Sequence, residues 1–90
     1  MEHQGLALLF KAKEAPVWIA LCIDFDLMSQ GDSEDEAIES LRWVVKTAAD
    51  DDRAHRLDFW DRTPTTPESM LKYLLEHKHD AALKRVSLTV

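Results

Sequence analysis

Alternation dominates the first third of the chain. Between Gly5 and Lys13, Leu6, Leu8 and Phe10 alternate with Ala7, Leu9 and Lys11, the two-residue period of a strand buried on one side and partly on the other. Glu14-Ala15-Pro16 interrupts it, and Pro16 can open a second strand because no ladder donor is needed there. From Val17 the alternation resumes. Val17, Ile19, Leu21, Ile23, Phe25 and Leu27 share one side; Trp18, Ala20, Cys22, Asp24, Asp26 and Met28 share the other. The first side reads as core, and the second turns acidic. The run is about twice the usual strand length of roughly 5–6 residues, so a turn near Asp24 to Asp26 is predicted to divide it into a second and a third strand.

After Gly31 the period changes. Ser33-Glu34-Asp35-Glu36 forms a capping box, in which the Ser33 hydroxyl accepts from the Glu36 amide and Glu36 reaches back to the Ser33 amide. Three acids in the first turn suit the positive end of the helix dipole. Ala37, Ile38, Leu41, Val44, Val45 and Ala48 then recur at helical spacing and make a stripe able to lie on a sheet. Asp50-Asp51-Asp52 opposes the dipole at the far end, so the helix is expected to fray there. From Arg53 to Thr66 only Leu57, Phe59 and Trp60 stand out, and the segment reads as irregular. Thr66 caps a shorter helix with Pro67 at its first position and a stripe of Met70, Leu71, Leu74 and Leu75, ending near Lys78 or His79. Arg85 to Val90 alternates as a final strand. The prediction is a single α+β domain over residues 1–90: a three-stranded antiparallel meander with a covering helix, a second short helix and a returning C-terminal strand. Its core lies in residues 5–50, with the helical appendix and last strand in 53–90.

Length and composition narrow this picture. A chain of 90 residues supports one modest core. Cys22 is the lone cysteine and sits in an apolar run, which favours a buried, inert thiol over a nucleophile. No apolar run approaches the roughly 18 residues of a membrane span, and the first residues lack a targeting pattern, so cytoplasm is the expected location. The net charge of −6 is unevenly spread: residues 1–45 hold nine acids and three bases, residues 46–90 eight of each. An acidic amino half repels phosphate backbones and attracts basic proteins, besides aiding solubility.

Candidate chemistry is sparse. Asp24 and Asp26, with Asp35, Glu36 and Glu39 just beyond, are oxygen donors that could converge on Mg²⁺. A two-metal hydrolase also needs carboxylates from separate elements around ions about 3.5–4 Å apart, and no second acidic strand supplies them. A solvated acidic edge beside a helix cap accounts for the same residues. His77 and His79 would point about 200° apart on a helix, which suits surface histidines better than a chelating pair. Zinc-ligand spacings and glycine-rich phosphate loops are absent, so neither an enzymatic activity nor a cofactor is assigned. Trp43 falls opposite the stripe, among Glu36, Glu39 and Thr47. It needs cover, either from Leu57-Asp58-Phe59-Trp60 folding over it, the reading placed slightly ahead, or from a partner. Trp18 and Met28 raise the same question for the sheet. A two-faced sheet with one obvious covering helix implies self-association into a homodimer or tetramer. Lys84 to Val90 is similar to the opening strand of a ribbon-helix-helix domain, but the plain strand reading is preferred because no further helices follow.

Trp18-Ile19-Ala20-Leu21-Cys22-Ile23-Asp24-Phe25-Asp26, followed by Ser29-Gln30-Gly31-Asp32-Ser33 and Asp35-Glu36-Ala37, resembles the HicB-like antitoxins, with a core of the form SQGD(S/T)xxEA. The likeness covers residues 5 to 50 well and the last strand loosely. It implies a partial ribonuclease-H-like fold of order βββαβ, in which the motif joins the third strand to the helix. It further implies a protein-binding module that neutralises a small basic HicA-like ribonuclease toxin by direct contact. Asp24, Asp26, Glu36, Glu39 and Trp43 are then the expected partner-binding residues. Many family members carry a C-terminal DNA-binding module for autorepression. None follows Val90 here, so direct DNA binding is not expected. Asp24-Phe25-Asp26 also replaces the proline- and glycine-containing turn common in the family. The alternatives are a stand-alone oligomeric module without a toxin, and last a metal-dependent hydrolase using Asp24 and Asp26.

Overall fold

β-branched, leucine-rich and aromatic positions in two-residue alternation build four strands: β1 (Glu2–Lys11), β2 (Trp18–Cys22), β3 (Leu27–Gly31) and β4 (Ala82–Thr89). Between β3 and β4 lie α1 (Glu34–Ala54), a single 3₁₀ turn (Phe59–Asp61) and α2 (Pro67–Glu76). The computed structural model describes residues 1–78 and 80–90. His79, one of the two histidines weighed above, lies outside the described residues. All pairings are antiparallel, in the order β3-β2-β1-β4, so the α+β meander with a returning strand is the observed architecture. Among the described residues no helix is long and apolar enough to cross a membrane.

Different helices cover the two faces of the sheet, α1 its face in full and α2 its face in part, where Leu6, Met28 and Leu83 stay exposed. Against α1 lie Ala7, Leu9, Ala20, Cys22, Phe25, Val86 and Leu88, which meet Ala37, Leu41, Val45 and Ala49 at four-residue spacing along the helix. Small residues on both sides, Ala7, Ala20 and Cys22 below Ala37 and Ala49, let the helix approach closely. The opposite face packs Leu8, Phe10 and Leu21 beneath Met70, Tyr73 and Ala81. The side expected to be the sole core, Ile19, Leu21 and Ile23, is therefore the face under α2, whereas α1 covers the side of Trp18, Ala20 and Cys22. The expected side also fails to continue past Ile23. Residues 23–26 form the predicted turn, Asp26 adopts the left-handed conformation at φ 53°, and the phase resets. Phe25 and Leu27 join the α1 side, and Met28 pairs with Leu21 on the other.

The last turn of α1 also departs from expectation. The three aspartates do not end the helix, because each has a local partner. Asp50 pairs with Lys46 and Arg53, Asp51 with His55, and Asp52 is buried against Nε and Nη2 of the Arg62 guanidinium at 2.9 and 3.0 Å. The helix stops two residues after Asp52, where Arg56 takes φ 59°. The Leu57 amide then donates to the Asp52 carbonyl and the Arg56 amide to that of Arg53.

The chain then crosses from one sheet face to the other around the β2–β3 turn. Phe59 packs into the α1 layer, 4.4 Å from Phe25 between ring centres. Thr65 is clasped to the turn, its amide donating to the Ile23 carbonyl and its hydroxyl to Asp26 at 2.8 Å. Thr66 and Pro67 start α2 as predicted. α2 rests through Met70, Tyr73 and its capping residue His77. His77 is buried and stacked on Phe10 at 4.3 Å, a correction to its reading as a surface histidine.

Candidate protein-binding face

The motif from Ser29 to Ala37 is a mechanical joint between strand and helix. The Ser29 hydroxyl donates to the Ala37 carbonyl at 2.8 Å. Glu36 accepts from the Asp32 amide at 2.9 Å, while its own amide donates to the Ser33 hydroxyl at 3.1 Å. The reciprocal bond thus reaches one residue further back than the expected Ser33 amide. Gly31 lies where a β-carbon would sit 2.5 Å from the Ala37 nitrogen, so only glycine lets β3 pass this close to the first turn of α1.

This joint raises one wall of an open groove of about 490 Å³, lined by Val17, Gln30, Asp32, Asp35, Glu36, Glu39 and Ser40. Four of those side chains are carboxylates. Glu36 and Glu39 are thus brought together on the outward side of α1, and Trp43 stands one turn further along the same side. Trp43 is 69% exposed. The segment expected to fold over it is engaged elsewhere: Phe59 is buried against Phe25, and Trp60 meets His3 edge-on at 5.1 Å. Intrachain cover of Trp43 is thereby overturned, because its would-be cover fills the gap between α1 and the β2–β3 turn instead. Arg42 pairs with Glu39 and donates to the Ser87 carbonyl, and Lys84 pairs with Glu34, so two cations border the acidic surface.

Asp24 and Asp26 do not belong to this surface. β2 and β3 place them at the opposite end, roughly 15 Å along the strands from Gly31. Asp24 accepts from the Leu6 amide at 2.8 Å and meets the His3 ring at 3.1 Å, and Asp26 accepts from Thr65. Both carboxylates act as structural ties. Among the described residues no group of three or more His, Cys, Asp or Glu side chains is disposed to hold a metal ion. Burial pushes the Cys22 thiol up to about 11, with the nearby Asp24 charge adding to the shift.

On β4 two of the outward polar residues are tied to a surface carboxylate of β1. Ser87 and Thr89 both donate to Glu2, which holds its carboxyl below the usual range. The acidic groove could be anticipated from the charge of the amino half. Asp35 was legible with Glu36 and Glu39 in the sequence, whereas Asp32 and Val17, which complete the groove, were not, because only the packing of α1 against β2 and β3 brings them beside those acids. Compared with known proteins, the chain matches no family model, no curated sequence and no solved structure.

Proposed function

We propose that this chain is a protein-binding module of the HicB-like antitoxin kind, which captures a small basic HicA-like ribonuclease through the outward face of α1. The observation that carries the reading is the exposed Trp43 beside a groove with four carboxylates. An indole anchor that becomes buried next to complementary charge is the usual composition of a binding hot spot, and an arginine or lysine of the partner can lie over the indole while reaching Glu39, one turn away. In this reading Glu36, Glu39 and Trp43 contact the partner, Asp24 and Asp26 hold the scaffold, and the work is done in the cytoplasm. The hydrolase alternative has lost geometric support, since Asp24 and Asp26 are engaged by Leu6, His3 and Thr65.

The test is co-expression with a small basic HicA-like ribonuclease, sought first in the open reading frame adjoining the gene, followed by light scattering of the purified material. A stoichiometric complex is expected, weakened about a hundredfold by Trp43→Ala and by Asp35→Lys with Glu39→Lys. Absence of a complex, or a complex indifferent to Trp43→Ala, would remove the proposal.

A further inference from the structure

α2 turns its best apolar positions away from the protein. At 100° per residue, Met70, Tyr73 and His77 cluster on the side that rests on Phe10 and the sheet. Leu71 and Leu75 fall nearly opposite and are 58% and 66% exposed. They line an open groove of about 440 Å³ with Glu68, Lys72 and Glu76. The stripe of Met70, Leu71, Leu74 and Leu75 expected to seat the helix is therefore split: Met70 packs inward beside Tyr73, while Leu71, Leu74 and Leu75 are exposed. A helix that buries no residue fully and exposes a second apolar stripe lacks a covering layer.

We propose that the missing layer is a second copy of this chain, packed α2 against α2 in antiparallel fashion across a two-fold axis. The residue order is what favours this occupant. Glu68, Leu71 and Leu75 line the groove in that order, and Lys78 follows, exposed, in the turn just past the helix: acid, leucine, leucine, base along the chain. Positions 68 and 78, like 71 and 75, are equidistant from residue 73. Reversed alignment about that point sets Leu71 on the partner copy's Leu75, and Glu68 opposite its Lys78, twice over. Such self-complementarity is what an isologous contact requires. A membrane surface would favour a basic border, whereas Glu68 and Glu76 stand beside these leucines. Two short helices bury a small interface, at the low end of about 1,200 Å² or below, so the dimer is concentration-dependent. The seam lies on the sheet face opposite α1, and both Trp43 surfaces stay open in the dimer.

Sedimentation velocity on the full chain over a concentration series tests this, with circular dichroism confirming that each variant is folded. A monomer–dimer equilibrium is expected. Leu71→Ser with Leu75→Ser weakens it about a hundredfold. Glu68→Lys alone weakens it about tenfold by turning two rim pairs repulsive, and Glu68→Lys with Lys78→Glu restores it. A monomer throughout the series, a dimer unmoved by the serine pair, or a charge swap without restoration would overturn the proposal. Because Trp43 is not involved, either result leaves the toxin-binding test to stand or fall separately.

Discussion

The Asp24 carboxylate holds the Leu6 amide and the His3 ring at once, and so ties the start of β1 to the β2–β3 turn. Asp24→Ala is therefore expected to lower unfolding stability by about 2–3 kcal/mol, as charge-assisted hydrogen bonds to a part-buried acceptor do, while leaving capture of a basic partner through Trp43 unchanged. Urea unfolding and a binding titration on the same variant separate the two effects. Cys22 gives a pH-dependent counterpart. Its folded-state pKa, about 11, lies above that of an exposed thiol, so the contribution to stability is complete below about pH 8.5 and is lost as pH rises towards 11. The native thiol should resist alkylation at pH 9 and react once denaturant is added; reaction at the rate of a free thiol in the native protein would contradict the assigned burial. Cys22 was legible in the sequence because a small thiol inside an apolar run has few other places to go. His77 was not, because its burial depends on Phe10, a residue distant in the chain and on another element.

Element boundaries depend on partners that periodicity does not report. The dipole argument at Asp50-Asp51-Asp52 was sound as local physics but was outweighed by Lys46, Arg53, His55 and Arg62, of which Arg62 lies beyond the helix. The helix ends at Ala54, two residues past Asp52, and just beyond it Arg56, a non-glycine residue, takes the left-handed conformation where the helix-ending hydrogen bonds form. That conformation costs a residue with a β-carbon about 1–2 kcal/mol. Arg56→Gly should recover part of it and raise stability by about 0.5–1 kcal/mol, the remainder being offset by the greater freedom of glycine in the unfolded chain. An unchanged or lowered melting temperature would show that Arg56 makes compensating contacts. The capping box and the Thr66-Pro67 start were readable because a helix N-terminus is specified by adjacent residues. The position of the β2–β3 turn was readable too, from strand length, although its left-handed Asp26 and the phase change it imposes were not.

At the scale of the whole molecule, one sheet separates two surfaces of different character, an acidic face with an exposed indole on α1 and a leucine seam on α2. Association of a basic partner with the α1 face should be steered by charge. Its on-rate is expected to fall about tenfold or more between low and physiological salt, while Trp43→Ala acts mainly on the off-rate. Stopped-flow measurement at two ionic strengths resolves both, and a salt-independent on-rate would discount the carboxylates. The α+β architecture was legible because four alternating runs and two amphipathic ones admit few arrangements. Which helix takes which face was not, since it is decided by how Ala7, Ala20 and Cys22 match the small residues of α1 and by the path of the chain through Thr65. The pairing of β4 with β1 bears on synthesis as well as on the finished protein. β4 is the last of the four strands to leave the ribosome, so β1, β2, β3 and α1 must wait with one flank of β1 unpaired and without Val86 and Leu88 in their core. During that interval the nascent chain exposes a ready template for wrong strand partners, and the delay before closure sets its exposure to aggregation.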